Sequence, residues 1–318
     1  MKILIVRFSS IGDIVLTTPV IRCVKQQVPN AEVHFMSKKA FEPILKENPY
    51  IDKLHLIKDK VNELKQELIN EDFDFVVDLH KNIRSAQVKS ICKTKSASFN
   101  KLNVEKWLMV RFKWNRLPNV HIVDRYMETV STLGVKNDGK GLDYFIPEAD
   151  EVDIKETLSL DEDYIAFAIG GQHVGKMLPK EKIISICSKI EKPVLLLGGK
   201  KDASRAEHIA KRSGKHVYSI AGSFNLNQSA SILKQAQAVI SHDTGLMHIA
   251  SALKKKVISI WGCTIPEFGM SPYMPGEGSK IIEVKEAPSR PCSKLGKGMC
   301  KDFACMNMID EWQLVEAL

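Results

Sequence analysis

Four loops of this 318-residue chain gather side chains that bind and move charge. The first is Ser9-Ser10-Ile11-Gly12-Asp13, which follows the apolar run 3–8. Gly12 permits a tight turn, and the helix that follows presents backbone N–H groups with no partner in the chain. Asp13 is either a carboxylate turned to a ligand cleft or an N-cap or first-turn acid on the helix dipole. A dinucleotide loop would carry G-x-G-x-x-G here, and the single glycine argues against NAD. The second loop is Gly170-Gly171-Gln172-His173-Val174-Gly175-Lys176. Its glycines let a ligand approach the backbone, and Lys176 offers a point charge to a phosphate, or else is a solvated side chain on a flexible loop. The spacing is not that of a Walker loop.

The third loop, Gly198-Gly199-Lys200-Lys201-Asp202, places an acid where nucleotide folds hydrogen-bond a ribose; the alternative is a helix N-cap. The fourth stretch, 241–272, holds Asp243, Thr244, Gly245 and His248 between two apolar runs. A phosphate at the helix N-terminus on Thr244 and Gly245 is the expected ligand. Two N-cap residue types in succession exceed what one turn needs. His248 lies one turn further on the same face, as part of the site or as a packing residue. Thr264 and Glu267, past the next apolar run, either close the pocket around a sugar or cap a loop.

These loops need strands to end at them and helices to begin there. Apolar runs at 3–8, 32–37, 53–57 and 73–79 read as strands, separated by helical patterns at 14–24, 41–47 and 60–69. From 101 to 133 the reading is helical, interrupted near Pro118, and the glycine- and acid-rich segment 134–161 reads as a linker. Alternation resumes with strands at 164–169, 193–197, 216–220, 238–241 and 257–261, and helices at about 180–190, 202–212, 226–235 and 245–253. A short amphipathic helix closes the chain at 309–318. Strands alternating with helices indicate an α/β protein with two Rossmann-like halves. The expected domains are 1–150, binding acceptor, and 151–318, binding nucleotide, with the last helix in the second or packed back on the first.

Composition sets the outer bounds. A 44% hydrophobic and 26% charged chain is an ordinary globular one, and a net charge of +8 favours anionic partners without choosing among them. No run approaches the roughly 18 apolar residues of a membrane span. The seven cysteines and the lack of a signal-peptide pattern point to a reduced, cytoplasmic setting. Cys292, Cys300 and Cys305, with Cys263 near them, lack a C-x-x-C pair; unpaired structural thiols are expected rather than a zinc site. Segment 101–116 mixes aromatic and basic residues, with Trp107, Val110 and Trp114 on one helical face. It is read as packed on the sheet, with a membrane-surface or phosphate-contacting helix as the alternative.

Taken together, MKILIVRFSSIGDIVLTTPV at the start, DLHKNIRS at 78–85, GKMLP at 175–179, LLLGGKKD at 195–202 and SHDTGLMHIASAL at 241–253 resemble the bacterial heptosyltransferases of glycosyltransferase family nine. The resemblance spans nearly the whole chain. It implies a GT-B fold, in which two Rossmann-like domains turn parallel sheets to a central cleft. It also implies inverting, metal-independent transfer from a nucleotide sugar, typically ADP-heptose, to a phosphorylated lipopolysaccharide core acceptor, with no cofactor. By the same resemblance Asp13 is the general base. Lys176, Thr244 and Gly245 hold the diphosphate, Asp243 and His248 complete the donor site, and Asp202 matches the ribose-binding acid loosely. Ser10, Gly12, Lys81 and Arg84 fall to the acceptor, and peripheral contact with the inner membrane is expected. Competing readings are a nucleotide-sugar epimerase or hydrolase of the same plan, and a non-catalytic nucleotide or nucleic-acid binder. No dense basic stripe supports nucleic acid.

Overall fold

The computed structural model describes residues 1–287, 289–297 and 304–318. Two compact units divide the chain, 1–101 with 120–145 and 102–119 with 146–318. In the first, strands β1 (Lys2–Val6), β2 (Glu32–Lys38), β3 (Lys53–Ile57), β4 (Phe75–Asp78) and β5 (Lys95–Ser98) form one parallel sheet in the order β3-β2-β1-β4-β5. Ile3, Leu4, Ile5 and Val6 are wholly buried, because a central parallel strand is covered on both faces by crossover helices. Leu4, Val6, Val76 and Val88 join one core cluster under the helix Ile83–Cys92.

The second unit contains β6 (Ile165–Ala168), β7 (Val194–Leu197), β8 (Val217–Ser219), β9 (Ala238–His242), β10 (Lys256–Trp261) and β11 (Lys280–Glu283), in the order β11-β10-β9-β6-β7-β8. All its strand pairings are parallel among the described residues. The closing helix Glu311–Glu316 belongs to this unit and sets Leu314 into its core with Ile183 and Ile186. Burial of one such leucine stabilises by about 1.5–3 kcal/mol.

Each sheet has one place where strand order reverses, and in open α/β sheets ligands collect there, beyond the carboxyl ends. In the first sheet it lies between β1 and β4, and in the second between β6 and β9. The loops that follow these four strands carry Asp13, Lys81 with Arg84, Lys176, and Asp243 with Thr244.

Several elements depart from expectation. The helix expected at 14–24 is two helices, Ile11–Val15 and Thr18–Gln27; Pro19 has no N–H to continue the first one. The helix expected from 101 ends at Phe112, where Lys113 takes a left-handed conformation with φ 61°, so Trp114 lies beyond it. That helix contains no buried residue, and Val104, Trp107, Phe112 and Trp114 are exposed, which overturns its reading as packed on the sheet. No helix among the described residues is long and apolar enough to cross a membrane.

Candidate active site

Asp13 sits in the first turn of the helix Ile11–Val15, and its carboxylate reaches back to Ser10. The Ser10 backbone N–H donates to Asp13 Oδ2 at 3.1 Å and the Ser10 hydroxyl to the same oxygen at 2.6 Å. The other oxygen, Oδ1, lies 2.7 Å from the Arg7 guanidinium. Asp13 is therefore a first-turn acid rather than the N-cap, and it is half-buried and held in place by an ion pair. Arg7 is itself buried, donating to Ser9 O at 2.8 Å, Leu79 O at 2.5 Å and the Tyr126 hydroxyl at 2.9 Å. Burial works against the Arg7 cation, but Asp13 and Tyr126 outweigh it and raise its pKa.

The turn after β4 is shaped by Asp78. Its carboxylate accepts from the His80 N–H at 3.0 Å, the Lys81 N–H at 2.6 Å and the Ser85 hydroxyl at 2.9 Å. Burial alone would raise the Asp78 pKa, yet these donors and Lys89 bring it below the usual carboxylate range. The turn leaves Lys81 and Arg84 exposed. His80, pressed edge-on to Phe8 at 5.3 Å, is neutral at pH 7, because burial first and Arg7 second bring its pKa to about 4. Burial and Arg7 also lower the pKa of Lys101.

In the second unit, Lys176 Nζ is 2.5 Å from Asp243 Oδ2, and the Thr264 hydroxyl donates to the same oxygen at 3.0 Å. Thr264 thus holds Asp243, whereas Glu267 lies exposed in a one-turn helix, Pro266–Phe268. Thr244 is the N-cap of the helix Gly245–Ala252, but its side chain makes no cap hydrogen bond; its hydroxyl faces that of Ser241 at 3.3 Å. The first-turn N–H groups thus lack a side-chain cap, the condition that suits an anion. His248 is buried in that helix at 2% exposure.

Asp202 is buried and accepts the Gly199 N–H at 2.9 Å. A Cβ at Gly170 would lie 2.5 Å from its Oδ2, so only glycine lets the loop after β6 come this close. Lys176, Asp243 and Thr264 therefore form one network, Thr244 and Gly245 begin the adjoining helix, and Asp202 packs the loops after β6 and β7 closely together. Asp13, Ser10, Gly12, Lys81 and Arg84 belong to the first unit.

Three supporting residues, Arg7, Arg205 and Arg290, escaped the sequence reading, and a fourth, Cys263, was read there only with the structural thiols. Arg7 stands among apolar residues, and a lone arginine there is the one available signal of a buried partner. Arg205 donates to Leu178 O and, at 3.4 Å, to Ile169 O, bracing the loop that carries Lys176. Arg290 binds Gly262 O at 2.8 Å and Thr264 O at 3.2 Å and pairs with Glu283. Cys263 lies under the Lys176 loop: a Cβ at Gly175 would come 2.6 Å from its sulfur, and its N–H donates to Gly175 O at 3.3 Å. The Cys305 thiol, hydrogen-bonded to Cys263, is brought down to about 7, and Cys263 is raised by that contact. Cys300 lies outside the described residues.

The comparisons with known proteins follow this geometry. The model of Glycosyltransferase family 9 (heptosyltransferase) matches residues 61–297, and the chain belongs to that family. It is similar to lipopolysaccharide heptosyltransferase 1 of Campylobacter coli, 26% identical over 291 residues, covering 83% of this chain and 84% of that protein. The crystal structure of a family 9 glycosyl transferase from Veillonella parvula matches with TM-score 0.80 at 21% identity, over 99% of this chain and 95% of that one. The ADP-heptose lipopolysaccharide heptosyltransferase II of Escherichia coli matches with TM-score 0.74 at 18% identity, over 100% and 97%. The α/β architecture of two parallel sheets is the one these heptosyltransferases share, GT-B, and the protein is a glycosyltransferase.

Proposed function

We propose that the protein transfers a heptose from ADP-heptose to a lipopolysaccharide core acceptor by a single displacement that inverts the anomeric carbon. Asp13 carries the reading. A sugar hydroxyl is a weak nucleophile until a base takes its proton as the new bond forms, an effect of about 10²–10⁴-fold. Asp13 is suited to this: it is half-buried in the first turn of the helix that follows β1, at the switch point of its sheet, and oriented by Arg7 and Ser10. Lys81, exposed in the turn after β4, and Arg84, exposed in the first turn of the helix Ile83–Cys92, meet phosphates of the acceptor.

The second unit holds the donor. As the glycosidic bond breaks, the bridging oxygen of the diphosphate gains negative charge. The Lys176 ammonium and the uncapped N–H groups beyond Thr244 and Gly245 stabilise that charge without rearranging. Asp243 sets the position of Lys176, and His248 and Asp202 line the nucleoside end. The reading is metal-independent, because the donor-side carboxylates are committed to protein partners, Asp243 to Lys176 and Thr264, Asp202 to the Gly199 amide.

The acceptor is a glycolipid, so the enzyme works at the cytoplasmic membrane surface. The helix Asn103–Phe112 and Trp114 supply the contact, with exposed aromatics among Arg111, Lys113 and Arg116.

The test is Asp13→Ala assayed with ADP-heptose and a heptose-acceptor core. Turnover falls by about 10²–10⁴-fold while ADP binding, read by thermal shift, stays as in the wild type. Near-normal turnover removes Asp13 as the base.

A further inference from the structure

The first unit carries a second cluster of titratable groups that sugar transfer leaves unused. His34 lies in β2 and His55 in the neighbouring β3, each 1% exposed. His34 Nδ1 faces His55 Nε2 at 2.9 Å, with ring centroids 5.1 Å apart and planes tilted by 32°. The outer nitrogen of each ring meets a carboxylate: His34 Nε2 is 2.8 Å from Glu32 Oε1, and His55 Nδ1 is 2.9 Å from Glu67 Oε1. Phe73 packs edge-on against both rings, at 5.2 and 5.8 Å.

Two neutral imidazoles carry only two N–H groups for these three contacts. If both outer nitrogens hold protons, two lone pairs meet at 2.9 Å between the rings. If a proton bridges the rings, a bare nitrogen faces a carboxylate. One further positive charge removes the conflict, and it is either a third proton or a metal ion.

We propose that His34 Nδ1, His55 Nε2 and a carboxylate oxygen of Glu71 bind a divalent transition-metal ion of the zinc class. One ligand atom from each of the three residues lies within 4.8 Å of the others, and Glu71 Oε2 is 3.9 Å from His34 Nδ1. Zinc holds such ligands at about 2.0–2.2 Å, which puts neighbouring ligands of a tetrahedron about 3.3 Å apart. The rings therefore separate by a few tenths of an ångström, and Glu71 closes by about half an ångström on His34 and by up to about 1.5 Å on His55. Imidazole nitrogen selects zinc, cobalt or nickel over magnesium and calcium. Glu32 then accepts the outer N–H of metal-bound His34, and Glu67, 2.9 Å from His55 Nδ1 but out of hydrogen-bond line with it, turns to accept that of His55.

Two cations face the same carboxylate, Lys2 at 2.9 Å and Lys53 at 2.5 Å from Glu71. They sit on different oxygens, so Glu71 keeps Lys53 on one and turns the other from Lys2 to the ion. His34 belongs to the amino half of its strand, whereas Asp13 follows the carboxyl end of β1. The ion is structural: it ties β2, β3 and the end of the helix Lys65–Asn70, and takes no part in sugar transfer.

Wild type, His55→Gln and Glu32→Gln are stripped with EDTA, loaded with Co²⁺ or Zn²⁺, desalted and assayed for metal. Far-UV circular dichroism matching the wild type establishes that the variants are folded. Wild type holds one equivalent more than His55→Gln, and in cobalt form that equivalent shows d–d bands without thiolate charge transfer, which separates it from the cysteines. Glu32→Gln, a change at a surface carboxylate, weakens the binding about 10–100-fold. Equal metal content in wild type and His55→Gln, or cobalt held only with a thiolate signature, overturns the proposal. So does the absence of any uptake, which assigns the extra charge to a shared proton.

Discussion

His242 shows how one buried side chain in the donor region makes the protein sensitive to acid. Its Nε2 accepts the Leu178 N–H at 3.0 Å, and burial first, then Arg205, bring its pKa to about 3. The unfolded chain takes up a proton near the ordinary histidine value of about 6.5. A folded pKa below the unfolded one contributes stability that is complete above about pH 6.5 and is lost as the pH falls toward the folded value. His80, at about 4, acts in the same sense in the first unit. The melting temperature is therefore expected to drop from pH 6.5 to 4, and His242→Gln, which keeps an acceptor for Leu178 but cannot be protonated, flattens part of that slope. An unchanged slope removes His242 as a source. The sequence displayed Lys176, Asp243 and Thr244 because glycines and N-cap residue types stand around them. It did not display Asp78, Arg205 or Arg290. Their partners are backbone carbonyls, amides and side chains that residue type and spacing do not identify before the chain folds.

Among elements, the strands legible in advance are the buried ones. Val194–Leu197 is wholly apolar and sits inside its sheet, so composition betrays it. Lys95–Ser98 and Lys280–Glu283 escaped because they are four-residue edge strands, the first without a large apolar residue and the second with only Ile281 and Ile282, too short to establish a pattern. The helix Ile83–Cys92 escaped for a related reason: only Ser85 and Val88 of it are buried, too few to establish a period. The reverse error came from Asn103–Phe112. Its aromatic residues predict burial, yet Trp107 is 52% and Trp114 62% exposed, with Phe112 ring-to-ring between them at 5.3 and 5.4 Å. On vesicles containing about a third anionic lipid, the wild type is expected to sediment at low salt. Trp107→Ala with Trp114→Ala is expected to weaken that binding by tenfold or more, since each aromatic carries about 150–250 Å² of surface into the interface. Equal sedimentation of the variant with anionic lipid would move the membrane contact elsewhere.

For the molecule as a whole, the testable point is the donor, which a glycosyltransferase consumes only when an acceptor is present. In a thermal-shift screen of ADP, UDP, GDP and CDP and their sugars, ADP and ADP-heptose are expected to stabilise. The stabilisation approaches 2.7 kcal/mol at a hundredfold excess over Kd, as mass action requires. ADP-heptose incubated without acceptor is expected to persist. A stronger response to another nucleotide would change the donor and leave the fold. The two-sheet architecture was readable from alternating strands and helices, since the crossover between parallel strands is usually a helix; the link from β10 to β11, with only the turn Pro266–Phe268, is an exception.

The course of the backbone between the two units has a consequence for synthesis. Residues 102–119 leave the first unit, join the second, and return at 120. Lys113 there donates to Ser289 O at 3.0 Å and Pro291 O at 2.8 Å, and Lys294 to Asn103 O at 3.1 Å. Their partners are thus made nearly two hundred residues later, about ten to forty seconds at ordinary ribosomal rates. The amino-terminal unit can close on the ribosome by residue 145, but with an aromatic, basic segment looped out of it until the carboxyl-terminal loops emerge. A polypeptide cut near residue 150 would carry that segment permanently orphaned, so separate expression of the halves calls for its removal from one and its restoration to the other.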